Sequence, residues 1–161
     1  MEFKAVKVEK PADVSVIIGQ SHFIKSVEDI FEAVATSSAT ARFGVAFCES
    51  SGDCLVRAEG NDEELKLLAA SSALRLAAGH AFMVFLRGAY PVNVLNAIKS
   101  VPEVCTVFCA TANPVDVVVA ETGGGRRGVM GVIDGEKTRG AEGAGDVARR
   151  KEFLRKLGYK L

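Results

Sequence analysis

The apolar residues of this chain come in short runs broken by Gly, Pro, Asn and Asp. The longest, such as Ala81-Phe82-Met83-Val84-Phe85-Leu86, have the length of a β-strand and fall far below the ~18 consecutive apolar residues a bilayer crossing needs. The chain therefore has to bury many short strands, not span a membrane. Hydrophobic residues make up 48% of its 161 residues, too many for a disordered chain. The length suits one domain over residues 1–161. The apolar excess reads as buried subunit interface. Twenty basic residues balance twenty acidic ones, which argues against a general nucleic-acid or membrane-surface binder, a class that usually carries excess positive charge.

The start, Met1-Glu2-Phe3-Lys4, lacks the basic and apolar regions of a signal peptide, so the cytoplasm is the expected compartment. Cys48, Cys54, Cys105 and Cys109 are then expected as free thiols. They form no CxxC pair and argue against a structural zinc site. Cys105 and Cys109 are expected on one face of a strand.

Seven strands and four helices are expected. The strands are residues 3–9, 14–18, 42–49, 80–86, 104–109, 115–120 and 129–133, and Ser50-Ser51-Gly52-Asp53 turns the third back through Cys54 to Arg57. Within 42–49, Phe43, Val45 and Phe47 share one face, and the small Gly44, Ala46 and Cys48 the other. Strands 104–109 and 115–120 are apolar on both faces and are expected at sheet centres. Residues 19–25 read as a loop entering a helix with Ser26 as N-cap and Val27, Ile30, Phe31 and Val34 as its buried stripe. Asn61-x-x-Glu64 reads as the capping box of a second helix ending near Ala78, with Gly79 at C′. Pro91 opens a third helix, and residues 146–157 form a basic amphipathic fourth. Hairpins mixed with helical crossovers indicate an α+β class: a single compact domain with a mixed β-sheet and about four helices.

No Walker A loop is present. Gly123-x-Gly125-x-x-Gly128 matches GxGxxG by letter but lies between two expected strands, outside the strand-to-helix context of a dinucleotide fingerprint. Its backbone with Arg126 and Arg127 can hold a phosphate or form a solvated hairpin turn. His22 lies in a polar loop before a helix N-terminus, three residues from Lys25. Exposed amides and a cation favour a phosphate there, and the histidine can act as base or as phosphoryl-accepting nucleophile. The competing reading is a surface or capping histidine. His80, opening an apolar strand, reads as a core histidine. Asn93, Asn96 and Asn113 can read an adenine edge or serve as caps and turns. Asp134-Gly135 reads first as a turn.

Several blocks resemble the adenosine-specific kinase family: Gly19-Gln20-Ser21-His22-Phe23-Ile24-Lys25 with Val27-Glu28-Asp29; Phe43-Gly44-Val45-Ala46-Phe47-Cys48-Glu49 with Ser51-Gly52; Gly60-Asn61-Asp62; Gly79-His80-x-Phe82; Pro91-Val92-Asn93-Val94-Leu95-Asn96; Cys109-Ala110-Thr111-Ala112-Asn113-Pro114; Gly131-Val132-Ile133-Asp134-Gly135; and the terminal Gly158-Tyr159-Lys160-Leu161. The family pattern at the Gly-rich loop is Gly-Arg-Gly, and Arg126 is extra here. The resemblance implies an α+β domain that binds adenosine and AMP, assembles as a homotrimer and transfers a phosphoryl group to adenosine. No tightly bound cofactor is expected, only Mg²⁺ arriving with a nucleotide phosphoryl donor. On the residues themselves, His22 is expected to carry or relay the phosphoryl group with Lys25 neutralising it, and Glu49 or Asp134 to take the ribose hydroxyl proton or hold Mg²⁺. Gln20, Asn93, Asn96 and Asn113 would shape the nucleoside pocket, and Arg127 would touch phosphate. The alternative is a non-catalytic module that senses adenosine or AMP.

Overall fold

The computed structural model describes residues 1–161. Its elements are β1 (Glu2–Val8), β2 (Ser15–Ser21), α1 (Ser26–Ser37), β3 (Arg42–Cys48), β4 (Val56–Gly60), α2 (Glu63–Leu76), β5 (Ala81–Arg87), α3 (Pro91–Lys99), β6 (Val104–Thr111), β7 (Val115–Glu121), β8 (Arg127–Asp134) and α4 (Ala144–Lys156). The class is α+β with four helices. The hairpin return is a full strand, β4, which makes eight strands instead of seven. Where the sequence suggests one sheet, the structure has two: a five-stranded sheet ordered β4-β3-β5-β2-β6 and a three-stranded sheet ordered β1-β7-β8, with every neighbouring pair antiparallel. No helix is long and apolar enough to cross a membrane.

Period-2 alternation explains the layering. Ile17, Phe43, Val45, Phe47, Phe82, Val84 and Leu86 face α1 and α3, whose Ile30, Val34, Val94 and Ile98 complete that core. The alternate residues Val16, Ile18, Ala46, Met83 and Phe85 face α2 and the small sheet, meeting Leu65, Ala69, Ala73, Val117 and Val119. The five-stranded sheet is thus covered on both faces, which is why its strands are nearly continuous apolar runs. The small-residue face of β3 lets α2 approach: a Cβ on Gly44 would lie 2.3 Å from the Leu65 backbone.

Several local expectations change. β2 runs on to Ser21 because Gly19 is a close-contact glycine, not a loop residue; a Cβ there would lie 2.3 Å from the Phe82 ring. Ser26 does not cap α1. The N-cap is Lys25, which makes no side-chain cap bond, while Ser26 is buried and its hydroxyl lies 2.6 Å from that of Ser21. Asp62, not Asn61, caps α2 by accepting from the Leu65 amide at 3.1 Å, and Ala77 rather than Gly79 takes the left-handed C-cap conformation. Asn61 ties α2 to β3 instead: its amide donates to the Ala41 carbonyl, and its carbonyl accepts from the Phe43 N–H. β7 is central in its sheet, but β6 is an edge strand. Two irregularities in its pairing with β2 break simple alternation, so Cys109 is buried while Cys105 is exposed.

Candidate functional site

Antiparallel order brings the end of β3, the start of β5, the end of β2 and the start of β6 to one edge of the large sheet. Backbone bonds stitch this edge together: the Ser21 N–H donates to the His80 carbonyl at 3.0 Å, the His80 N–H to the Cys48 carbonyl at 2.8 Å, and the His22 N–H to the Glu103 carbonyl at 3.1 Å. The buried Ser21–Ser26 hydroxyl pair then ties β2 to the first turn of α1. His22 is therefore held at both sides of a four-residue loop.

At this edge His22, Glu49, Asp53, Arg57 and His80 line a cavity of about 670 Å³, with Phe23, Ile24 and Leu55 as its apolar wall. The rings of His22 and His80 meet edge-on, centroids 4.4 Å apart, with their Nδ1 atoms 3.3 Å from each other. The Glu49 carboxylate lies 4.0 Å from His80 Nε2 on the other side. Carboxylate, imidazole and imidazole form a row ending at the exposed His22. Phe47 stacks beneath His80 at 6.0 Å. His80 is strained: its φ is 62°, left-handed backbone that costs a non-glycine residue of order 1–3 kcal/mol and clusters at functional sites.

Glu49 is held as an anion. The Ser51 hydroxyl bonds its carboxylate at 2.9 Å and lowers its pKa most, aided by the Ser50 and Ser51 amides at 2.9 and 3.2 Å and the Arg57 guanidinium at 3.5 Å. Arg57 is the cavity's cation, and its Nε is buried with no hydrogen-bond partner. Lys25 is already engaged. The Asp29 carboxylate bonds it at 2.5 Å and raises its pKa, and Glu103 lies at 3.6 Å. The Lys25 ammonium that the sequence offered to a phosphate is therefore neutralised by two carboxylates, and Arg57 is better placed.

The structure thus gathers His22 and Glu49 of the sequence candidates. Gln20 is exposed on β2 and lines no part of this cavity. Arg127 borders an adjoining hollow but is bonded to Glu121 and to the carbonyls of Arg75 and Leu76. Asn93, Asn96, Asn113 and Asp134 lie at the opposite end of the sheet, about 20 Å away along the seven residues of β2. There Asn93 accepts from the Tyr90 N–H at the start of α3, and Asn96 sits exposed one turn on. Asp134 accepts from Thr111 at 2.8 Å and Asn113 at 3.2 Å, pinning the turn between β6 and β7. Sequence reasoning missed two residues. His80 read as core because it opens an apolar strand, yet it lines the cavity. Arg57 carried no local signal beyond a charge inside an apolar return strand. No group of three or more His, Cys, Asp or Glu side chains is placed to hold a metal ion.

The chain matches the family model described as adenosine specific kinase over residues 6–160. Its fold is that of the crystal structure of PH1918 protein from Pyrococcus horikoshii OT3, with a TM-score of 0.94 and 42% identity covering 99% of this chain and 98% of that one. A comparison with curated proteins finds no match. The blocks that build the cavity edge fall within the matched residues, and the chain belongs to the adenosine-specific kinase family.

Proposed function

We propose that this protein phosphorylates adenosine to AMP through a phosphoryl group carried on His22. The observation that supports this reading is the Glu49–His80–His22 row at the cavity edge. His22 Nδ1 faces His80, which leaves Nε2 to face the cavity as the nucleophile.

In the first half-reaction Nε2 attacks the terminal phosphorus of a nucleoside triphosphate that arrives with its own Mg²⁺. The N–P bond forms, the bridging P–O bond breaks, and its electron pair leaves on the diphosphate. The Nδ1 proton of His22 passes to His80, whose charge Glu49 stabilises. In the second, the adenosine 5′-oxygen attacks the same phosphorus. Its proton goes to the Glu49 carboxylate, the N–P pair returns to Nε2, and His80 returns the proton to Nδ1. Glu49 then releases its proton to water. Arg57 offsets the charge on the moving phosphoryl group, since such transfer is mostly positioning and electrostatics. AMP, as product, occupies the adenosine pocket.

Intact-protein mass spectrometry after incubation with Mg-ATP tests the reading. The wild type is expected to gain one phosphoryl group, to lose it to adenosine as AMP, and to show no gain in His22→Ala. AMP formation without any adduct would replace the carrier with direct transfer. Adenosine retained with neither adduct nor AMP would make the protein a nucleoside-binding module.

A further inference from the structure

A second hollow of about 480 Å³ adjoins the first, and Glu49, Cys54 and Val56 line both. The three shared residues form a common wall between the two hollows. Each falls within the usual size range of small-molecule pockets. The second hollow differs in chemistry from the first. One side is apolar, built by Ala73, Leu74, Ala77 and Ala78 at the end of α2, and the rim carries Arg126 and Arg127.

The two arginines are not equivalent. Arg127 bonds Glu121 at 2.5 Å and the carbonyls of Arg75 and Leu76 at 3.2 and 3.3 Å. It braces the hairpin against α2 and offsets the negative end of that helix, which would otherwise repel an anion. Arg126 is exposed, and only its backbone takes part in hydrogen bonding: its N–H donates to the Thr122 hydroxyl and its carbonyl accepts from the Thr122 N–H. Its guanidinium is free for a ligand at the mouth of an apolar hollow, a combination that fits an aromatic base with a polyphosphate.

We infer that this hollow is the subsite for the phosphoryl donor, a nucleoside triphosphate. Its base and sugar lie along the Leu74 side, its phosphates meet Arg126, and its terminal phosphate is directed past Glu49 toward His22. The inference rests on the His22 reading for the direction of transfer, but the subsite itself is tested by binding.

The experiment is titration calorimetry of the full chain with adenosine 5′-(β,γ-imido)triphosphate and, separately, with adenosine. The variants are Arg126→Ala and Leu74→Trp, both at exposed positions, the first removing the cation and the second filling the hollow. Each is expected to weaken the triphosphate analogue about tenfold and to leave adenosine affinity at the wild-type value. Unchanged analogue affinity in both variants overturns the subsite, as does a wild type that fails to bind the analogue. A loss confined to adenosine overturns it too and gives the hollow to the acceptor. The two readings fail separately. If AMP forms with no phosphoryl group on the protein while Arg126→Ala still raises the donor KM, the subsite stands and the carrier falls. If His22 is phosphorylated at the wild-type rate in both variants, the reverse holds.

Discussion

At the residue scale, burial divides the four cysteines into two kinds. Cys48 and Cys109 are buried, and burial pushes each thiol up to about 11. Cys54 and Cys105 are exposed. The thiolate is the reactive form, so near neutral pH a thiol reagent should label Cys54 and Cys105 quickly and the other two only after denaturation. Peptide mapping of the labelled protein checks this, and rapid labelling of Cys48 would contradict the packing of β3 against α2. Cys54 borders both hollows, so its labelling should slow when either ligand is bound. The same scale shows what a sequence hides. His80 and Cys109 each stand in an apolar run, yet one lines a cavity and the other fills the core. Hydrophobic neighbours do not say at which end of a strand the sheet opens.

At the element scale, α2 depends on its cap. Asp62 accepts the Leu65 N–H, and that bond is the main cause holding its carboxyl below the usual range, with Arg42 adding to it. A depressed carboxyl contributes stability above its unfolded pKa and loses it as pH falls through the folded value. Asp62→Ala should therefore lower the urea midpoint at neutral pH, with the gap from wild type closing in acid, while Asp62→Asn keeps most of the midpoint because the amide oxygen still caps. Urea titrations across the acid range measure this, and a pH-independent gap would rule out the charged cap. The helix was legible in the sequence within a residue or two; its cap was not. Asn61 and Asp62 are both good caps, and the choice fell to tertiary bonds, since Asn61 is taken by the backbone of Ala41 and Phe43.

At the scale of the molecule, the chain leaves several large apolar side chains open. No residue of α4 is buried, and Phe3, Met130, Ile133 and Phe153 are each more than half exposed. Exposed apolar side chains of this size are suited to burial between copies of the chain, and the homotrimer that the family resemblance implies is the assembly we propose. Sedimentation equilibrium should give three times 17.0 kDa; a monomer mass at micromolar concentration would refute it. Local periodicity and turn residues alone carry the α+β class, the period-2 faces of β3 and the positions of the four helices. That the strands divide into two sheets, that β6 is an edge, and that His22 stands beside His80 and Glu49 with Asn93, Asn113 and Asp134 about 20 Å away is set by tertiary contacts. Strand order and end-to-end position come from contacts between residues far apart in the chain, and no local pattern encodes which distant segment supplies them.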